Sequence, residues 1–163
     1  MGRVLRLVAA GAAALICAAP AAAHTDDGPG LSLVWPANGT VTRGFGYDGA
    51  EWHPGIDIGT LLSLDVDAAA AGIVEAIGYP QGFEGYGNVV LVDMGQGLEA
   101  LYAHLSEVGV KVGEQVATGQ RLGLAGCTGY CTGTHLHFEV RSHGIAFDPA
   151  PLLPATIPQS EGG

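Results

Sequence analysis

The sequence predicts an all-β domain, a compact antiparallel β-sandwich or partly open barrel, and three observations lead to it. Apolar residues come in short runs, and no stretch keeps the period of an amphipathic helix. Those runs are rich in Val, Ile, Leu and aromatic residues, which suit a pleated surface. Glycine is frequent, 27 of 163 residues, and much of it falls between the runs, where tight turns form. In chain order, residues 72–77, 88–93, 98–105 and 136–140 are the clearest strands. Gly95-Gln96-Gly97 predicts a hairpin turn joining the second of these to the third. Residues 108–126 alternate short apolar pieces with Gly109, Gly113, Gly119, Gly123 and Gly126, the pattern of tight turns in compact β-structure. The alanine-rich residues 67–71 are the one helical temptation, and they are too few for a helix to stand alone.

A chain of 163 residues has room for one domain of ordinary size. Residues 1–23 read as a secretory signal peptide. Arg3 and Arg6 precede an apolar run over residues 7–19, and Ala21-Ala22-Ala23 supplies small residues for cleavage before His24. That run falls short of the roughly 20 residues that span a bilayer, so no stable membrane insertion is expected after processing. Cys17 follows a bulky Ile16, which argues against lipoprotein processing at that cysteine. Residues 24–32 read as a flexible linker, residues 33–153 as the folded domain and residues 154–163 as a disordered tail. The product is expected to be secreted, either extracellular or in the cell envelope, and monomeric.

Loss of Arg3 and Arg6 with the signal leaves 4 basic against 16 acidic residues, a net charge of −12 with His neutral. A domain this acidic lacks the basic footprint that nucleic-acid phosphates require, so no nucleic-acid partner is expected. Cys127 and Cys131 remain after processing. In an exported chain such a pair reads as a disulfide before it reads as a metal site, because the cell exterior is oxidising.

The histidines carry the chemistry. His53 and Asp57 stand four residues apart around Pro54-Gly55. In Thr134-His135-Leu136-His137-Phe138-Glu139-Val140, strand periodicity puts His135, His137 and Glu139 on one face and Leu136, Phe138 and Val140 on the other, towards a core. His104 lies in a separate strand segment, and His143 reads as a turn residue beside Gly144. A lone histidine is ordinarily a satisfied polar group. Three segments that each offer His or Asp at ligand-like spacing instead point to zinc, whose catalytic sites keep three protein ligands and an open position. His53, Asp57 and one histidine of the His-x-His pair would complete such a set.

The strings His53-Pro54-Gly55-Ile56-Asp57, Tyr102-Ala103-His104-Leu105 and His135-Leu136-His137-Phe138-Glu139, in this order, resemble the motifs of the lysostaphin/LytM-type zinc endopeptidases. Framework strings extend the likeness: Thr42-Arg43-Gly44-Phe45-Gly46, Gly85-Tyr86-Gly87-Asn88, Val110-Lys111-Val112-Gly113 and Gly119-Gln120. The resemblance implies a fold of the duplicated hybrid-motif type with a catalytic groove, and one zinc ion per chain held by His53, Asp57 and His137. It implies that His104 and His135 assist catalysis without binding metal, and that the substrate is a stem or bridge peptide of bacterial peptidoglycan. Glu139 is a candidate to orient a ligand from behind. Asp48 departs from the family pattern, in which Arg is common, and so does Leu61-Leu62-Ser63-Leu64, where a glycine turn is usual. A Cys127–Cys131 disulfide would set the height of one groove wall. The rival reading is a non-catalytic regulator of other wall hydrolases on the same fold, although such members tend to lose ligands that this chain keeps. A likeness of residues 110–126 to biotin and lipoyl carriers fails because the only lysine, Lys111, sits at no hairpin tip.

Overall fold

The structure, a computed structural model, describes residues 31–157. The expected signal peptide, the linker up to residue 30 and the tail from residue 158 lie outside the described residues. Strands β1 (Thr40–Arg43), β2 (Gly46–Asp48), β3 (Glu51–His53), β4 (Ile56–Gly59) and β5 (Asp65–Asp67) come first. They are followed by β6 (Gly72–Gly78), β7 (Val89–Gly95), β8 (Leu98–Ala103) and β9 (Glu107–Val108). The chain closes with β10 (Gln115–Val116), β11 (Arg121–Leu124), β12 (Leu136–Ser142), β13 (Ile145–Phe147) and a 3-10 turn at Ala150–Leu152. Residues 67–71 form the end of β5 and a bend, and no α-helix occurs among the described residues.

The main sheet runs β1-β4-β12-β8-β7-β6-β10, with β13 added beside β12, and every pairing is antiparallel. A second sheet, β5-β11-β9, and the short hairpin β2-β3 complete the strands. The main sheet does not close on itself, so the fold is an open, layered β-structure. β7 and β8 are joined at Gln96-Gly97, where both residues have positive φ (55° and 76°), the backbone that matches a two-residue hairpin to the twist of its strands.

Alternation divides the main sheet into two faces. Ile56 and Ile58 of β4, Leu136, Phe138 and Val140 of β12, Tyr102 of β8 and Val90 and Val92 of β7 point inward. Val66 of β5 and Leu122 of β11 meet them from the second sheet. Each fully buried side chain of this kind contributes about 1.5–3 kcal/mol of hydrophobic stabilisation. On the opposite face, Val89, Leu91, Leu101 and Ala103 form a smaller cluster roofed by Phe83 and Tyr86 from the loop between β6 and β7. His137 and Glu139 belong to this outer face, since they pair across the ladder with Ala103 and Leu101. The centre of the sheet therefore carries the main hydrocarbon core on one side, and His137 and Glu139 beside a smaller apolar cluster on the other.

Candidate metal centre

Two neighbouring strands of the main sheet and the turn leading into one of them bring the predicted ligands together. β4 lies beside β12 in a register that places Asp57 directly opposite His137. His53 ends β3 and reaches the same point across the Pro54-Gly55 turn. A Cβ added at Gly55 would lie 2.3 Å from the Phe138 carbonyl oxygen, so only glycine lets this turn approach β12 so closely. His53 Nε2 is 3.1 Å from Asp57 Oδ1 and 3.1 Å from His137 Nδ1, and His137 Nδ1 is 2.8 Å from Asp57 Oδ1.

The outer nitrogen of each imidazole is already engaged. His53 Nδ1–H donates to the Gly44 carbonyl at 2.7 Å, and His137 Nε2–H donates to Glu139 Oε1 at 3.0 Å. In their neutral tautomers both rings therefore aim a lone pair at a carboxylate oxygen that also has none but lone pairs to offer. Three acceptors facing one another repel unless a proton or a cation lies between them. Zinc bonds of about 2.0–2.1 Å place tetrahedral ligand atoms about 3.3 Å apart, close to the separations found here, so the residues present fit that ion.

The electrostatics follow from this crowding. Burial pushes the Asp57 carboxyl up, but bonds and charge from His137 and His53, once a proton sits on the nitrogen facing it, outweigh burial and hold the group far below the ordinary carboxylate range. Burial opposes a charge on His137, yet its bonds to Asp57 and Glu139 prevail and raise it above a free histidine. Glu139 is completely buried. Its carboxylate accepts from the Tyr86 hydroxyl at 2.6 Å and from Arg141 Nη1 at 3.0 Å as well as from His137. Burial and the Glu139 carboxylate push the Tyr86 hydroxyl well above an ordinary tyrosine, so it stays a donor. Arg141 is in turn held by the Gly144 carbonyl at 2.7 Å and lies 5.0 Å over the Phe83 ring.

His104 and His135 stand beside this group with the same tautomer logic. His104 Nδ1–H donates to the Thr128 carbonyl and His135 Nδ1–H to the Gly133 carbonyl, each at 2.8 Å, which leaves both Nε2 atoms as acceptors. Their ring centroids are 4.7 Å apart, and His135 Nε2 is 3.7 Å from Asp57 Oδ1. Burial holds His104 below a free histidine, against its bond to Thr128. All five residues line a groove of about 420 Å³, with Arg43 and Glu51 on one rim and Glu84 and Tyr130 elsewhere along its lining. Asp48 lies 3.2 Å from Arg43 Nε, so the departure at that position is tied to a groove-lining arginine. Cys127 and Cys131 are disulfide-bonded with Cα atoms 5.6 Å apart, and Cys131 borders the groove. His143 lies in the turn between β12 and β13, away from the groove.

Tyr86, Thr128 and Arg141 support the site without a supporting role being legible in the sequence, where Tyr86 figures only within the framework string Gly85-Tyr86-Gly87-Asn88. Arg141 comes nearest, because it continues the alternation His137, Glu139 on the same strand face. Tyr86 and Thr128 lie in loops and carry no period that could have marked them.

The family model described as peptidase family M23 matches residues 51–149, a span that contains every one of the six residues His53, Asp57, His104, His135, His137 and Glu139. The chain belongs to peptidase family M23. It is 37% identical over 120 residues to the lipoprotein NlpD/LppB homolog of Pseudomonas aeruginosa, covering 74% of this chain and 39% of that protein. It is 39% identical over 97 residues to the DD-carboxypeptidase/endopeptidase Mpg of Neisseria meningitidis, covering 60% of this chain and 22% of that one. The M23 chain thus spans well under half the length of these curated relatives. Among solved structures, the catalytic domain of the antimicrobial peptidase lysostaphin from Staphylococcus simulans superposes with a TM-score of 0.61 at 33% identity, covering 69% of this chain and 90% of that one. A zinc-containing peptidase from Vibrio cholerae gives 0.63 at 29% identity, covering 78% and 40%. No helix among the described residues of this M23 chain is long and apolar enough to cross a membrane.

Proposed function

We propose that this M23 chain is a secreted zinc metalloendopeptidase that hydrolyses peptide cross-links or bridges of bacterial peptidoglycan. One observation carries the reading: His53, Asp57 and His137 converge three lone-pair donors, each histidine with its outer nitrogen tied off, beside two further histidines with free Nε2 atoms on one groove. Zinc in such a set supplies Lewis-acid polarisation of a scissile carbonyl and of the attacking water. His104 and His135 do the proton work. A neutral Nε2 accepts the proton of the attacking water and returns it to the departing amine, so water and amide become carboxylic acid and amine. The protonated ring of the other histidine opposes the negative charge that develops on the carbonyl oxygen. Glu139 keeps the His137 tautomer that leaves Nδ1 free for metal, with Tyr86 and Arg141 fixing the carboxylate in turn.

Export rests on the N-terminal pattern of residues 1–23 and places a disulfide-bearing domain where a disulfide persists. The substrate class rests on the family and on the similarity to lysostaphin and to a DD-carboxypeptidase/endopeptidase. One observation favours a regulatory role on the same fold, namely the similarity to a protein described as a lipoprotein and not as a peptidase. Release of new amino groups from purified peptidoglycan decides between them. The peptidase should lose turnover on chelation and regain it with zinc. His104→Ala should keep the metal and lose turnover by about 100-fold or more, the size of a general acid–base contribution. Zinc bound with no turnover on several wall types would establish the regulator instead.

A further inference from the structure

The loop that bears the disulfide also carries the hydrogen bond that fixes His104. Its five residues, 127–131, are half-buried or exposed, and Tyr130 is 90% exposed, so no packed core holds them in place. The Thr128 carbonyl nevertheless sits 2.8 Å from His104 Nδ1. Three kinds of restraint converge on it. The Thr128 hydroxyl donates to the Leu105 carbonyl and accepts from Asn88 N–H, both at 2.9 Å, which ties Thr128 to the residue after His104 and to the loop before β7. Tyr130 N–H donates to the Gly85 carbonyl at 2.7 Å, while His104 N–H donates to the Tyr86 carbonyl at 2.9 Å. The Cys127–Cys131 disulfide closes the loop around Thr128.

The approach is tight enough to constrain its partner. At Gly87 (φ 68°) a Cβ would lie 2.4 Å from the Thr128 carbonyl carbon and oxygen, so the two loops press backbone on backbone. His104 itself has a left-handed backbone (φ 61°), uncommon outside glycine and retained only where surroundings over-determine it. The bonds anchoring His53 and His137 run to Gly44 and Glu139, and that of His135 to Gly133, all outside the disulfide ring. The ring thus bears on one histidine of the four.

We propose that Thr128, clamped by the Cys127–Cys131 disulfide, is a positioning residue for His104: it sets the Nδ1–H tautomer and aims Nε2 into the groove, without contributing to metal binding. This rests on the peptidase reading for its effect on turnover, and on geometry alone for its effect on the His104 tautomer. A disulfide closing so short a loop removes little chain entropy from the unfolded state, which fits a local role better than a global one.

The test compares the whole exported chain with Thr128→Val, Thr128→Ser and the double variant Cys127→Ser/Cys131→Ser. Zinc content, kcat and KM on peptidoglycan and the His104 tautomer by 15N NMR of the zinc-loaded protein are measured for each. Thr128→Val and the double cysteine variant should keep one zinc and a KM near wild type while kcat falls about 10- to 100-fold, the range for a lost supporting hydrogen bond. Thr128→Ser should restore wild-type kcat, because it keeps the clamping hydroxyl. NMR should find His104 fixed as Nδ1–H in wild type and Thr128→Ser, and as a mixture in the other two. Unchanged kcat and tautomer in Thr128→Val, or loss of zinc together with kcat, would overturn the proposal. A wild type that turns over no substrate but shows the same tautomer pattern would sink the peptidase reading and leave the positioning role standing.

Discussion

At single residues, metal binding depends on which nitrogen of each imidazole carries the hydrogen. Glu139 is buried with three donors around one carboxylate, and it holds His137 in the tautomer that turns the Nδ1 lone pair towards Asp57. Glu139→Gln forces an amide N–H against one of those donors. Zinc affinity should weaken about 10- to 100-fold, as measured by competition with a chromophoric chelator; an unchanged affinity would reduce Glu139 to a packing role. The metal-free protein should also show an unusual pH trend. Asp57 and Glu139 raise His137 above its unfolded value of 6.5, despite burial, which acts the other way. A raised folded pKa contributes stability that is fully present below 6.5 and is lost as pH rises through the folded value. Thermal melting of metal-free protein should therefore improve as pH falls from 8 towards about 6.5, with the proton standing in for the ion, whereas zinc-loaded protein should lose its metal stabilisation as the pH falls. A metal-free melting temperature that falls over the same window would contradict the assignment. Which residues converge was legible from the strings around His53, His104 and His137. Which nitrogen faces inward was not, because that depends on carbonyls of Gly44, Thr128 and Gly133 that have no side-chain signature.

At the scale of elements, the long central strands β6, β7, β8 and β12 were legible because each is an apolar run between turns. The short ones, β1 to β5, β9 to β11 and β13, are four residues or fewer and hold too little pattern for periodicity to register. The turn between the short β3 and β4, which Pro54-Gly55 does mark in the sequence, is what sets His53 against β12. Gly55→Ala places a Cβ 2.3 Å from the Phe138 carbonyl oxygen, so turn and strand must part. The expected cost is about 1–3 kcal/mol in the denaturant midpoint, with zinc affinity weakened as well. Wild-type stability in that variant would show that the turn is free to move and does not define the site.

At the scale of the molecule, the two sheets are joined by one buried polar contact as well as by the core. The Tyr102 hydroxyl of β8 accepts a hydrogen bond from Ala69 N–H, in the segment after β5, at 2.8 Å. Tyr102→Phe leaves that N–H buried and unpaired, and stability should drop by about 1–3 kcal/mol; no change would mean that water replaces the hydroxyl. The all-β class followed from the sequence because glycine placement and β-rich runs agree along the whole domain. The open order of the main sheet did not, since it depends on long-range pairings such as β12 with β4 and β8 that local pattern does not encode.

Calorimetric titration of zinc into the metal-free chain, alongside His137→Ala shown to be folded, asks whether the three converging acceptors form a metal centre. The wild type should bind one equivalent, and the variant should lose that site. No binding by the wild type, or undiminished binding in His137→Ala, would contradict a metal centre at these residues.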